Sequence, residues 1–298
     1  MRRPLLRFLI AIPVCWGLIA VTLAAGWLVL GPTAKGSVWF EVTAMGDVQY
    51  SGAPDQPFFF LVLGNDGRSD ADKGLGDAIH VIGVNPASHE ATIINVPRDT
   101  QAPSGDKINA YHALQGLPGI VGELNSMMGI DIKYAITTNF PGFVDMVNQV
   151  GGIDITIPKA LNDHDSGAVF PAGPQHINGD QALAFSRDRK DYPVEGDVAR
   201  TTNQAHVIIS ALATLRASNP SDAATMILVA TLAKHIRVHR VDLTGLWRLG
   251  RLALTIDPAH VKNITIPTGG GSGTNLVLGP GAQELFADFR DDGVVQSR

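Results

Sequence analysis

Apolar and polar positions along this chain fall into blocks whose period changes, and each block predicts an element. The first is Phe8 to Leu30, an apolar run containing Trp16 and Trp27 and preceded by Arg2, Arg3 and Arg7. At about 1.5 Å per helical residue, such a run spans a hydrocarbon core of about 30 Å. The arginines orient its start to the cytoplasm and put the rest of the chain outside. A cleaved signal peptide competes, with Ala24-Ala25-Gly26 as its small residues, but the apolar run continues beyond them. The expected order is a cytoplasmic start (1–7), a transmembrane anchor (8–30), a connector rich in small residues (31–55) and an extracytoplasmic domain (56–298). Within the connector, Val38-Trp39-Phe40 is either a short strand or a membrane-surface contact.

Beyond the connector, Pro57 to Leu63 is continuously apolar, as a strand buried on both faces requires. Two further strand-like runs, 78–85 and 91–96, are joined by the hairpin segment Asn85-Pro86-Ala87-Ser88-His89-Glu90. The pattern then predicts a helix near 117–128, a strand near 132–138, and a helix capped by Asn139 that stops at Gly151-Gly152. A strand over Ile153–Ile157, a loop over 160–175 and a helix over 177–186 follow. Helices are expected at 197–215, 222–236 and 242–255. After them come a strand near 262–267, a glycine-rich loop at 269–273, a short strand and a terminal helix. Strands and helices intermix without a linker, which predicts one α/β domain with a mixed central sheet and helices on both sides.

The 197–215 helix carries an unusual stripe. At about 100° per residue, Asp197, Arg200 and Gln204 share a face with Ile208, Ala211 and Leu215. A core-facing stripe with a charged end is costly unless something anionic or a matched partner satisfies it. Together with Arg187-Asp188-Arg189 just upstream, this suggests an arginine-rich phosphate pocket bordered by apolar surface. The plainer reading has Asp197 as a helix cap and the arginines in surface ion pairs.

Composition narrows the chemistry. A formal charge of -5 argues against a general nucleic-acid binder, so any anion site is local. The sole cysteine, Cys15, lies inside the apolar N-terminal run, which excludes internal disulfides and speaks against thiol or zinc-thiolate chemistry. Strand-end loops carry Asp66, Arg68 and Asp70, then Asp77, then Arg98 and Asp99. Asp66 and Asp77 flank one loop, where they either converge as hard oxygen ligands suited to Mg²⁺ or Mn²⁺ or serve as ordinary turn residues. Arg68, Arg98, Lys107, Arg187, Arg189 and Arg200 can hold a diphosphate if the fold brings them together. No Walker loop or Gly-x-Ser-x-Gly elbow is present. His80, His89, His112, His164 and His176 show no metal-ligand spacing and are expected on the surface or in turns.

The loop motifs occur in an order that resembles the LytR-CpsA-Psr family of cell-wall ligases. Leu63-Gly64-Asn65-Asp66-Gly67-Arg68 resembles its Gly-x-Asp-x-Arg loop, and Asp77 follows as the second acidic residue. Val96-Pro97-Arg98-Asp99-Thr100 and Lys107-Ile108-Asn109-Ala110 resemble two further motifs, and Val150-Gly151-Gly152-Ile153 a third. Gly179 to Arg189 and the Asp197…Arg200…Gln204 helix close the set. The resemblance implies a transferase that takes a glycopolymer from a polyprenyl-diphosphate carrier. It attaches the polymer to a peptidoglycan acceptor through a phosphodiester. Carried over, Asp66 and Asp77 hold Mg²⁺. Arg98, Arg187, Arg189, Arg200 and Gln204 hold the diphosphate, supported by Arg68, Lys107 and Asn109. Asp99 or Asp197 orients an arginine or accepts the proton, and the prenyl tail occupies an apolar pocket. Two positions depart from the pattern: Leu75 and Asn203 stand where the family usually has arginine. They keep open two alternatives, a lipid-diphosphate hydrolase and a catalytically weak lipid-phosphate binding protein.

Overall fold

The computed structural model describes residues 40–46, 57–66, 74–192, 196–218, 221–232, 236–270 and 275–296. The expected anchor at 8–30 and Arg68 lie outside these residues. Among the described residues no helix is long and apolar enough to cross a membrane.

The centre is a seven-stranded mixed sheet in the order β10-β1-β5-β2-β3-β4-β11. Its members are β1 (Phe40–Ala44), β2 (Phe58–Asn65), β3 (Gly76–Asn85), β4 (Glu90–Asn95), β5 (Ile132–Asn139), β10 (Arg237–His239) and β11 (Lys262–Thr265). Strand β2 runs parallel to β5 and antiparallel to β3. Its continuous apolar run has a physical reason, because alternate residues serve two cores. Leu61 and Leu63 join Ile79, Val81 and Ile94 beneath helices α1 (Ala110–Met128) and α7 (Ala282–Asp292). On the other face Phe58, Phe60 and Val62 join Ile82, Val84 and Ile93 beneath helices α4 (Gly196–Ala217) and α6 (Leu243–Thr255). Covering both faces removes the polar alternation that a half-exposed strand shows.

The β3–β4 hairpin forms where expected, with Asn85 Oδ1 accepting from the N–H groups of Ala87 at 3.0 Å and Ser88 at 3.1 Å. Helix α2 (Phe140–Gln149) starts on the expected cap, Gly142 N–H donating to Asn139 Oδ1 at 2.9 Å. It packs with helix α3 (Gly179–Arg187) over a third core of Val147, Ile153, Ile155, Phe185 and Val207. A Cβ at Gly179 would lie 2.2 Å from Val144 O, so the close approach of α2 and α3 needs glycine there.

Several expectations change. The connector segment 31–55 contributes β1 to the central sheet. The 160–175 loop holds strands β7 (Leu161–Asp163) and β8 (Ala168–Phe170) and the start of β9 (Gly173–Ile177), which pairs with β6 (Ile153–Ile157). Helix α3 therefore starts at Gly179 rather than at 177. Helix α1 begins at Ala110, well before 117, and bends at Gly116, whose φ of 70° leaves the helical region just ahead of Pro118. Helix α5 (Asp222–Leu232) ends before the expected 236, and β10 follows it to pair in parallel with β1. In the glycine-rich segment, β12 (Thr268–Gly270) pairs with β13 (Leu276–Leu278), and residues 271–274 lie outside the described ones.

Candidate functional site

Because β2 runs parallel to β5 and antiparallel to β3, the end of β2, the start of β3 and the end of β5 meet at one edge of the sheet. Asp66, Asp77 and Asn139 occupy those three positions. Helix α3, started by a reciprocal capping box between Asn178 and Gln181, delivers Arg187 and then Arg189 to the same edge. Helix α4 adds Arg200 and Gln204. These side chains line a cavity of about 660 Å³, which Phe140 and Pro141 complete.

The cavity is strongly charged. Arg98 Nη1 lies 2.7 Å from Asp77 Oδ1. Burial alone would lower the Arg98 pKa, but the hydrogen bond and charge of Asp77, with Asp197 and Asp99 nearby, raise it instead. Asp197 sits in the first turn of α4, which begins one residue earlier at Gly196. Its Oδ1 is 2.9 Å from Arg200 Nη2 and 3.4 Å from Arg189 Nη2, close charge contacts without aligned hydrogen bonds. Arg200 is only 7% exposed. Burial lowers its pKa; Asp197 works against that shift, while Arg98 and Arg189 add to it. Arg98 Nε, Arg200 Nε and Nη2, both Asp197 oxygens and Gln204 Oε1 are buried without hydrogen-bond partners. Buried guanidinium N–H groups left open are expensive, and an oxyanion satisfies them.

Of the expected residues, Arg98, Asp197, Asp99, Lys107 and Asn109 lie outside the cavity lining, whereas Asp66 and Asp77 are part of it. Lys107 pairs with Asp99 at 2.7 Å, and both are about one-third exposed. Asn109 is buried and braces the loop through its backbone, its carbonyl accepting from Gly76 N–H and its own N–H donating to Arg98 O. Asp66 Oδ1 accepts from Leu75 N–H at 2.8 Å, which closes the loop between Asp66 and Asp77. Leu75 is 40% exposed and Asn203 is buried. Phe140 opens the segment Phe140–Pro158 that resembles the family's Phe-x-x-Leu/Val…Gly-Gly-Val motif, and its ring packs under the Arg187 guanidinium, 5.4 Å from centroid to Cζ.

A second cavity, of about 330 Å³ and almost wholly apolar, lies on the α4–α6 face of the same sheet. Phe60, Val62, Ile82 and Ile93 form its floor, and Ile208, Ile209, Leu212 and Leu249 its roof. Helix α4 therefore walls both cavities, polar at Arg200 and Gln204 and apolar from Ile208 onward. Its cavity-facing stripe is 200-204-208-212, whereas Ala211 packs against the third core.

Two histidines expected at the surface are buried. His80 is 1% exposed in the middle of β3, and His112 is 6% exposed on α1 with Nδ1 3.1 Å from Gly74 O. Burial lowers the His80 pKa from 6.5 to about 4, against the raising effect of Asn95 and Gln204. The unfolded chain thus binds a proton that the folded chain refuses between those values, so stability falls as pH drops through that window. His80 should cost the fold roughly 3 kcal/mol by pH 4. Thermal melts from pH 7.5 to 4.5 should show this loss, and His80→Gln should flatten the slope; an unchanged slope would refute it.

Fold and site together define an α/β domain that sets an arginine-walled polar cavity beside an apolar one. Over residues 39–286 the sequence matches the LytR_cpsA_psr family, and the chain belongs to it. One relative, the polyisoprenyl-teichoic acid–peptidoglycan teichoic acid transferase TagU of Bacillus cereus (strain AH820), is 38% identical over 158 residues. That match spans 51% of this chain and 51% of the relative, so the chain covers about half the relative's length. The fold resembles the crystal structure of B. subtilis TagV, with a TM-score of 0.69 and 22% identity over 83% of this chain and 100% of the other. It also resembles TagT bound to LIIa-WTA, with a TM-score of 0.66 and 21% identity over 85% and 99%.

Proposed function

We propose that this protein transfers a glycopolymer from a polyprenyl-diphosphate carrier to peptidoglycan, forming a phosphodiester outside the membrane. The observation that carries the reading is the shared wall of α4, which sets an arginine-lined pocket directly beside an apolar cavity. A lipid diphosphate has that same division into a charged head and an apolar tail. The family and the TagU relative support the reaction class. The apolar run Phe8–Leu30 serves as a single-pass anchor with its N-terminus in the cytoplasm, which keeps the domain at the surface where such lipids lie.

In this reading Arg187, Arg189 and Arg200 grip the diphosphate, and Arg98, aligned by Asp77, adds its charge from the loop side. Arg68, Lys107 and Asn109 support that loop, and Gln204 lies at the tail side of the pocket. A sugar hydroxyl of the acceptor attacks the polymer-linked phosphorus, the bond to polyprenyl phosphate breaks, and the hydroxyl proton leaves to a carboxylate. Asp197, in contact with Arg189 and Arg200, fits the role of arginine orienter; Asp99, tied to Lys107, is the second candidate.

Asp66 and Asp77 fit a Mg²⁺ site. Among the described residues each has one oxygen in a hydrogen bond and a second oxygen free of one, and both line the polar cavity. No group of three or more His, Cys, Asp or Glu side chains that could hold a metal occurs among the described residues. Two carboxylates, with water and phosphate completing the shell, is the donor set Mg²⁺ commonly takes. A Mg²⁺ ion held there would neutralise charge on the phosphoryl oxygens. Asp77→Asn should lower kcat/KM about 10- to 100-fold and raise the Mg²⁺ concentration needed for half-maximal rate. An unchanged Mg²⁺ dependence would remove Asp77 from the metal site.

The decisive assay combines purified soluble domain, Mg²⁺, a polyprenyl-diphosphate-linked glycan and peptidoglycan fragments. A phosphodiester-linked glycan on peptidoglycan is the expected product. Free phosphate-terminated glycan without that product would replace the transferase by a hydrolase, and binding without either product would leave a lipid-phosphate binding protein.

A further inference from the structure

Along the face of β3 that meets α4, the side chains change character at a single residue. Ala78 lines the polar cavity and Ile82 and Val84 line the apolar one, with His80 between them on the same face. Gln204 occupies the matching place on α4, one turn from Arg200 and one turn from Ile208. Both residues stand at the level where the two cavities divide.

His80 is held by a chain of amides. Its Nδ1 lies 2.8 Å from Asn95 Oδ1. Asn95 Nδ2 donates to Asn263 Oδ1 at 2.6 Å and to Thr265 Oγ1 at 3.3 Å, which leaves Asn95 Oδ1 as the acceptor toward the ring. Asn263 Nδ2 in turn donates to Thr202 O on α4 at 3.2 Å. The neutral ring therefore carries its proton on Nδ1 and presents a lone pair at Nε2. That Nε2 is buried and without a hydrogen-bond partner, as is Gln204 Oε1, although the Gln204 amide faces the ring. Gln204 Nε2 gives one N–H to Ser186 O at 3.3 Å, and its second N–H is available to the imidazole. Apolar side chains surround this level on β2 and β3, so packing alone would be served by valine or leucine at position 80. The polar chain instead ends on a residue of the cavity wall.

We propose that His80 is a positioning residue of the lipid-diphosphate site. Its Nε2 takes the second Gln204 N–H when ligand is bound, which leaves Gln204 Oε1 to accept from an arginine of the cavity wall, such as Arg200, whose Nε and Nη2 have no hydrogen-bond partner. The pair then marks the level at which the ligand's charged head gives way to its tail. This inference rests on the proposed function and adds to it a residue with no direct part in binding the diphosphate.

Two measurements test it. Calorimetry with a short-chain polyprenyl diphosphate and Mg²⁺ first establishes binding to the full chain in lipid nanodiscs; no binding by the unaltered protein would sink the functional reading itself. With binding established, long-range ¹H–¹⁵N spectra of ¹⁵N-histidine-labelled protein should show His80 as the neutral Nδ1–H tautomer. Its Nε2 resonance should move on ligand addition while that of the exposed His260 stays in place. A stationary His80 Nε2 would overturn the proposal without touching the functional reading. In the transfer assay, His80→Leu should lower kcat about 10-fold with KM within about 3-fold, and His80→Gln should recover most of the loss. Gln204→Leu combined with His80→Leu should be no worse than the more damaging single change. Additive losses, or a folded His80→Leu variant with unaltered kcat, would overturn the proposal. The spectra need no variant, so they decide even if His80→Leu fails to fold.

Discussion

Arg200→Ala should reduce kcat/KM for transfer by roughly 10³-fold, the scale seen when a preorganised cation or oxyanion donor is removed from a transition state. Arg200 is the most buried arginine of the cavity wall, and two of its nitrogens lack hydrogen-bond partners. Its donors are thus already aimed and dehydrated before substrate arrives. Stability should move very differently. Burial and the charges of Arg98 and Arg189 oppose the Arg200 cation, with Asp197 as the main offset, which is why its pKa is lowered. Removing the side chain relieves that opposition while depriving Asp197 of its nearer partner, so the melting temperature should change by only a few degrees. Arg200→Lys keeps the charge but loses the planar fork, and should still lose roughly 10²-fold. Steady-state rates beside thermal melts check both halves. Activity within tenfold of the unaltered protein would show that Arg200 does not contact the reacting phosphate.

The same helix shows which parts of the site could be read from sequence. Its extent and its polar-to-apolar change were legible, because Arg200, Gln204 and Ile208 follow one another at four-residue steps. Its final face was misjudged. Each four-residue step turns about 40° past a full turn, so the stripe drifts toward Leu212 while Ala211 swings into the third core. A helix wedged between two cores has no single buried face to predict. The strand-end carboxylates and arginines were legible as motifs, yet Asp99 and Lys107 pair with each other instead of lining the cavity. Three-residue strands such as β7, β8 and β10 are too short to show a period. His80 was misread because its partners, Asn95 on β4 and Gln204 on α4, come together only through sheet pairing and helix packing.

Leu212→Trp should separate tail binding from head binding. Leu212 lies eight residues beyond Gln204, about 12 Å along the helix axis, and forms part of the apolar cavity's roof. An indole there takes space from an apolar ligand without reaching the arginines. Burial of one methylene is worth about 0.8 kcal/mol, so displacing a single five-carbon prenyl unit forfeits up to ~4 kcal/mol. Imperfect fit in the unaltered cavity and repacking around the indole both reduce this figure. A 30- to 300-fold weaker affinity for a polyprenyl diphosphate is therefore the expected scale, roughly 2–3.4 kcal/mol. Affinity for inorganic pyrophosphate should stay the same, and the melting temperature should hold or rise as the cavity fills. Calorimetry with the two ligands side by side distinguishes the cases. Equal losses for both would mean that the indole has disturbed α4 as far as Arg200. Undiminished affinity for the lipid would place the prenyl chain elsewhere, leaving the arginine pocket to recognise a diphosphate without help from the apolar cavity.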